Sequence, residues 1–213
     1  VFIDVAGTNA FSLAKELSKD GMEMEVEKIL ETFFTHGAKK RYAANIKWPK
    51  EEFYVMGYEL RRADSFEIQR KALKGALTLI LEDKPDKAFR LVSGIVKDIK
   101  EGRASLKELV ITKSVKDAKD YVRPQSMAGV QASQKLLARG YAWTPNSKVS
   151  WIVTNSKVTP MEVEPYVEDF CEDMVPDWYY YAGRVVKTLS DIATVFGWDD
   201  IGLSSGTKQR KLF

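Results

Sequence analysis

The apolar residues of this 213-residue chain change period near Asp64, and that change limits what the chain can fold into. Upstream, Met22-Glu23-Met24-Glu25-Val26-Glu27 alternates strictly. Tyr42-Ala43-Ala44-Asn45-Ile46-Lys47-Trp48 and Phe53-Tyr54-Val55-Met56 are short apolar runs parted by Pro49-Lys50-Glu51-Glu52. Alternation and a polar turn predict antiparallel strands, the last two runs forming a hairpin. Downstream, Ile68, Ala72, Leu73, Ala76, Leu77 and Ile80 recur at helical spacing, and so do Ala88, Leu91, Val92, Ile95, Val96 and Ile99. The fold class is therefore α+β, a small antiparallel sheet followed by a mainly helical region.

Local signals fill in the rest. Val1 to Val5 reads as a strand that begins inside a sheet, and Thr8 or Asn9 caps a helix over about 10–18. Asp64 or Ser65 caps the helix over 66–81, Pro85 starts the next, and Gly102 ends it. A helix is predicted over 127–139, closed by Gly140, and a half-buried strand through Val149, Trp151 and Val153. Pro160, Pro165 and Pro176 limit the stretch 161–177 to short helical turns at most. Asp177 then leads a helix to Gly197, and 202–213, rich in Ser, Gly and Lys, is predicted to be a flexible tail.

Several function classes fall away on composition. No apolar run approaches the roughly 20 residues needed to span a bilayer. A single cysteine, Cys171, excludes an internal disulfide framework and points to a reducing cytosol. With His36 as the only histidine, a zinc site of the usual Cys/His type cannot be assembled. There is no Gly-rich phosphate loop and no Ser/His/Asp or Cys/His set with an orienting partner, so no catalytic residue is assigned to this chain.

Net charge is only +3, but it is unevenly spread. Cations crowd the stretch 37–64, with Lys39, Lys40 and Arg41 before the hairpin and Arg61 and Arg62 after it, whereas 161–177 carries seven carboxylates and no cation. Cations at both ends of a hairpin suit a phosphate backbone. The competing reading is a solvated basic face on a helical interaction module without nucleic-acid binding. Glu23, Glu25 and Glu27 share one strand face. They read either as a charged edge that discourages strand pairing or as carboxylates near a divalent ion.

Order and spacing add a resemblance. Lys39-Lys40-Arg41-Tyr42, a hairpin, then Gly57-x-Glu59-Leu60-x-Arg62-x-Asp64 and a long helix resemble the end of the palm and the start of the thumb in family B DNA polymerases. Arg61 and Ala63 depart from the family's usual residues there. Met127 to Gly140, ending in Ala-Arg-Gly, and Asn146 to Val153 resemble later thumb elements of archaeal members, in the right order. The resemblance implies a C-terminal palm portion over 1–64 and a thumb over 65–201. It further implies DNA contacts from Lys39, Lys40, Arg41, Tyr42, Arg61, Arg62 and Asp64. The family's Tyr-x-Asp-Thr-Asp-Ser motif, whose aspartates hold catalytic magnesium, is absent from these residues. The likeness thus implies the small subunit of a split archaeal polymerase, with a larger polymerase subunit carrying the aspartates and most of the Mg2+ coordination. Glu27, with Glu25 second, takes the place of the glutamate that the family associates with an auxiliary ion. Gln209, Leu212 and Phe213 resemble the beginning of a sliding-clamp docking motif.

Overall fold

The computed structural model describes residues 2–3, 9–19, 21–58, 60, 64–168 and 173–206. It divides into two compact units, Val1–Gly57 and Tyr58–Phe213. The division falls at Gly57, earlier than the change of period at Asp64, because Tyr58, Ser65 and Phe66 are already buried in the second unit's core.

In the first unit, α1 (Ala10–Leu17) is capped by Asn9, whose side chain accepts from the Phe11 and Ser12 amides at 2.9 and 3.4 Å. The sheet is an antiparallel meander of β1 (Ile29–Thr35), β2 (Tyr42–Trp48) and β3 (Glu52–Met56). The hairpin expected over 42–56 is β2–β3, paired from Tyr42↔Met56 to Ile46↔Glu52. The strand expected over 22–27 does not form, and β1 begins only at Ile29, which pairs with Trp48. A strand needs a partner, and β2 has ended at the turn that opens with Pro49, leaving no partner strand for 22–28 among the described residues. The alternation survives as exposure: Glu23, Glu25 and Glu27 face solvent while Met24 and Val26 are half-buried. Phe2 and Ile3 are likewise outside any strand, and the rest of 1–5 lies outside the described residues.

In the second unit, α2 (Glu67–Leu81), α3 (Pro85–Lys100), α4 (Leu106–Leu109), α6 (Trp178–Phe196) and α7 (Asp200–Ser205) pack as a helical layer. A three-stranded antiparallel sheet joins it, with β4 (Ile111–Ser114), β5 (Lys148–Asn155) and β6 (Glu162–Pro165) in the order β4-β5-β6. The helix α5 (Ala128–Ala138) packs on β5 and β6. The predicted stripe of α2 is buried throughout, together with Phe66 at its start. Neither Asp64 nor Ser65 caps α2. Phe66 occupies the cap position, and Ser65 instead offers its carbonyl to Arg70 Nη1.

Tyr181 ties the layers together. It is fully buried, its ring meets Phe66 edge-on at 5.0 Å, and its hydroxyl accepts from the Val153 amide of β5 at 2.8 Å. Burial lifts this phenol far above its ordinary range. Ile152, on the strand face opposite Val149, Trp151 and Val153, is fully buried as well, so β5 is covered on both faces there rather than half-buried.

Two acidic or polar stretches fold more than predicted. The segment 161–177 contains the strand β6, whose Val163 and Pro165 point inward while Glu164 is held by Lys135 of α5 and by Arg139 just after it, both at 2.5 Å. Pro165 ends the strand, where its missing amide costs no internal ladder bond. The stretch predicted to be a flexible tail from Gly202 is helical at its start, since α7 runs to Ser205 and buries Leu203 completely, and 207–213 lie outside the described residues.

Candidate nucleic-acid interface

The Lys-Lys-Arg-Tyr segment is a tight turn that leads into β2. Thr35, at the end of β1, accepts from the Gly37 amide at 3.2 Å and donates to the Arg41 carbonyl at 3.0 Å, so one hydroxyl closes both sides of the turn. Lys40 takes a positive φ of 60° at its apex. Its carbonyl lies flat against Gly57, where a Cβ would stand 2.1 Å from the Lys40 oxygen and 2.8 Å from the Arg41 Cγ. Gly57 therefore serves the first cationic motif directly, although the sequence places it at the head of the second. Lys39, Lys40 and Arg41 are exposed, and among the described residues no carboxylate pairs with Lys39 or Lys40. Two exposed ammonium groups on a turn closed by Thr35 attract anions without the cost of ordering a loop.

Tyr42 sits beside them as the first residue of β2, with its ring near Phe2, Phe33 and Tyr54 at 5.1, 5.5 and 5.9 Å. Burial, and the neighbouring Tyr54, raise its hydroxyl above the ordinary range, so it stays a neutral hydrogen-bond donor at physiological pH. Lys28 lies over the Tyr54 ring at 5.3 Å and donates to Glu27 at 2.7 Å. That hydrogen bond holds the Glu27 carboxyl below its usual range.

Magnesium demands several oxygen ligands in near-octahedral array. Among the described residues, no three metal-ligating side chains gather, Glu27 is engaged by Lys28, and Glu25 is exposed in the segment before β1. The described residues alone do not make a magnesium site.

Asp64 belongs to the second unit. Its carboxylate lies 3.9 Å from Arg184 Nη2, which also donates to the Asp64 carbonyl at 3.4 Å, while Arg184 Nη1 donates to the Tyr180 hydroxyl at 3.0 Å. These three residues edge a cleft of about 230 Å³ whose walls include Lys113, Met127, Trp151 and Met161. Arg61 and Arg62, and likewise Gln209, Leu212 and Phe213, lie outside the described residues. Sequence reasoning missed Arg184: its spacing from Tyr180 is visible on α6, but Asp64 lies 120 residues away and nothing local connects them.

Residues 2–195 match the profile described as DNA polymerase family B. The chain belongs to the family B DNA polymerases. This family B chain is 25% identical over 236 residues to a DNA polymerase of Archaeoglobus fulgidus, an alignment covering 100% of it and 29% of that protein. It is 27% identical over 199 residues to DNA polymerase 2 of Aeropyrum pernix, covering 90% of it and 24% of the relative. A eukaryotic relative, the DNA polymerase delta catalytic subunit of Candida albicans, is 28% identical over 154 residues, covering 69% and 14% of the two chains. The family B chain thus spans less than a third of each of these relatives. The solved family B DNA polymerase of Pyrobaculum calidifontis shares its fold with a TM-score of 0.66 at 24% identity, over 88% of this chain and 25% of that one. Among the described residues no helix is long and apolar enough to cross a membrane.

Proposed function

We propose that this chain is the small subunit of a DNA-directed DNA polymerase, supplying the C-terminal palm over 1–64 and the thumb over 65–201. Its work is to grip primer-template DNA for an active site whose aspartates come from a larger polymerase subunit. The observation that carries the reading is the Lys39-Lys40-Arg41 turn, exposed and locked against Gly57 in a chain of this family. Such a turn meets phosphates rather than base edges, so binding should be insensitive to sequence and steeply weakened by salt. Its contribution to the reaction is orientation, holding the primer terminus in line for attack. Mg2+ is the cofactor of the assembled enzyme. The aspartates of the partner hold most of it, and Glu27, with Glu25 second, approaches it only if the assembly draws Glu27 from Lys28. Gln209, Leu212 and Phe213, by their resemblance to the start of a clamp-docking motif, would meet a sliding clamp, and the setting is the cytoplasm.

Primer extension with Mg2+ and four deoxynucleotides tests the assembly, comparing this chain, the larger subunit and their mixture. Synthesis that rises only in the mixture supports the reading; a mixture no better than the larger subunit, with both shown folded, overturns it. Lys40→Ala and Arg62→Ala should each lower the slope of log affinity against log salt by about one in the assembled enzyme. Unchanged affinity in both variants removes the duplex-gripping role and leaves a protein-interaction module as the better account.

A further inference from the structure

One face of the first unit's sheet is apolar and open. Phe33, Ala44 and Tyr54 stand opposite one another across β1, β2 and β3, with Thr35, Tyr42 and Met56 in the next row, so these side chains share a face. Phe2 lies on that face, its ring 4.9 Å from Phe33 and 5.1 Å from Tyr42. Ala44 is fully buried, yet Phe2 is 63% exposed, Phe33 43% and Met56 37%. A unit of 57 residues that encloses so little gains most by covering its largest rings. Neighbouring exposed aromatics of this kind mark an interface.

The rim says what kind of surface covers it. Glu31 is exposed in the break of register two residues before Phe33, and Lys28, the cation over Tyr54, is paired with Glu27 at 2.7 Å. An edge without net positive charge does not suit a polyanion, in contrast to the Lys39–Lys40 turn. It suits a protein that brings apolar side chains to the centre and a cation to Glu31. The relatives carry such protein in abundance: the matched stretch is 29% of the Archaeoglobus fulgidus polymerase and 24% of the Aeropyrum pernix enzyme. The family match takes in the whole face, from Phe2 to Met56.

We infer that this face is where the larger polymerase subunit docks, with Phe2 and Phe33 as the anchoring rings. This rests on the proposed split-subunit reading, and it gives the first unit two partners, DNA at the Lys39–Lys40 turn and protein at the aromatic face.

Titrating the larger subunit into primer extension at a fixed, low concentration of this chain tests it, with sedimentation velocity of the chain alone beside it. Phe33→Ser and Phe2→Ser should each raise the larger-subunit concentration for half-maximal synthesis about thirty-fold, the loss expected of an anchoring ring, and leave the plateau rate unchanged. Phe33→Leu, still an apolar anchor, should recover most of that loss. Ile201→Ser, at an exposed apolar residue of α7 in the second unit, should change nothing. Phe2 stands outside any strand, so its variant tests the face even where circular dichroism shows that Phe33→Ser disturbs β1. Half-maximal concentrations equal to the parent's in both serine variants, or an equal loss in Ile201→Ser, overturn the inference and leave the split-subunit reading standing. A parent chain that sediments as a dimer, with Phe33→Ser monomeric, would put a second copy on the face; a lowered plateau at unchanged half-maximal concentration would put DNA there. Either result overturns the inference. A parent chain that adds no synthesis to the larger subunit overturns both.

Discussion

Gly57 and Gly37 both have positive φ, 74° and 89°, yet only Gly57 has a neighbour that a side chain would strike. Gly37→Ala should therefore cost only the backbone strain of a left-handed residue, about 1 kcal/mol. Gly57→Ala must also push Lys40 aside and should cost on the order of 3 kcal/mol, weakening duplex affinity as Lys40→Ala does. Urea denaturation of the two variants, beside their primer-template affinities, checks the difference; equal costs would mean that the Lys40 turn yields freely. Glu164 gives a second test at this scale. Burial opposes its ionisation, but hydrogen bonds from Lys135 and Arg139 prevail and hold its carboxyl below the usual range. Its stabilisation is then present above the unfolded value, about 4.3, and is lost as pH falls through the lower folded value. Glu164→Gln should cost about 1 kcal/mol at neutral pH and flatten the acid limb of the stability profile, read by denaturation between pH 3 and 7.

At the scale of elements, the long helices were legible and the strands only in part. The buried stripes of α2 and α6 follow the spacing of their own apolar residues, a property of one segment. The alternation of 22–27 was equally clear, but a ladder depends on a second segment, and β2 stops short of it. The converse holds for β6, hidden among acids and prolines and made by its pairing with β5. Asp177 shows how an element boundary can do two things at once: its side chain accepts from the Tyr180 amide at 3.0 Å and from the Ser156 amide and hydroxyl at 2.9 and 2.7 Å. Asp177→Ala should cost about 2 kcal/mol, and Asp177→Asn, still a good cap, should recover most of it. For α7, Leu203→Ala should cost about 3 kcal/mol by thermal melting, since the side chain is wholly enclosed; a loss near zero would show a frayed helix rather than a packed one.

At the scale of the molecule, the two units differ in how much core they own. Among the described residues, Val1–Gly57 buries little beyond Ala43, Ala44 and Ile46, and α1 has no buried residue, whereas Tyr58–Phe213 holds nearly all of the core. Residues 58–213 expressed alone should melt cooperatively, and 1–57 alone should not, as circular dichroism would show. Sequence by itself determined the α+β class, the hairpin, the main helices and the exposed cations at Lys39 and Lys40, because period, turn chemistry and charge are properties of neighbours in the chain. Only the tertiary structure decided that Gly57 backs the Lys40 turn, that β6 exists, and that Arg184 meets Asp64. Each depends on a contact with a second segment, Gly57 with Lys40, β6 with β5 and Arg184 with Asp64, and packing, hydrogen bonding and ion pairing act across space whatever lies between.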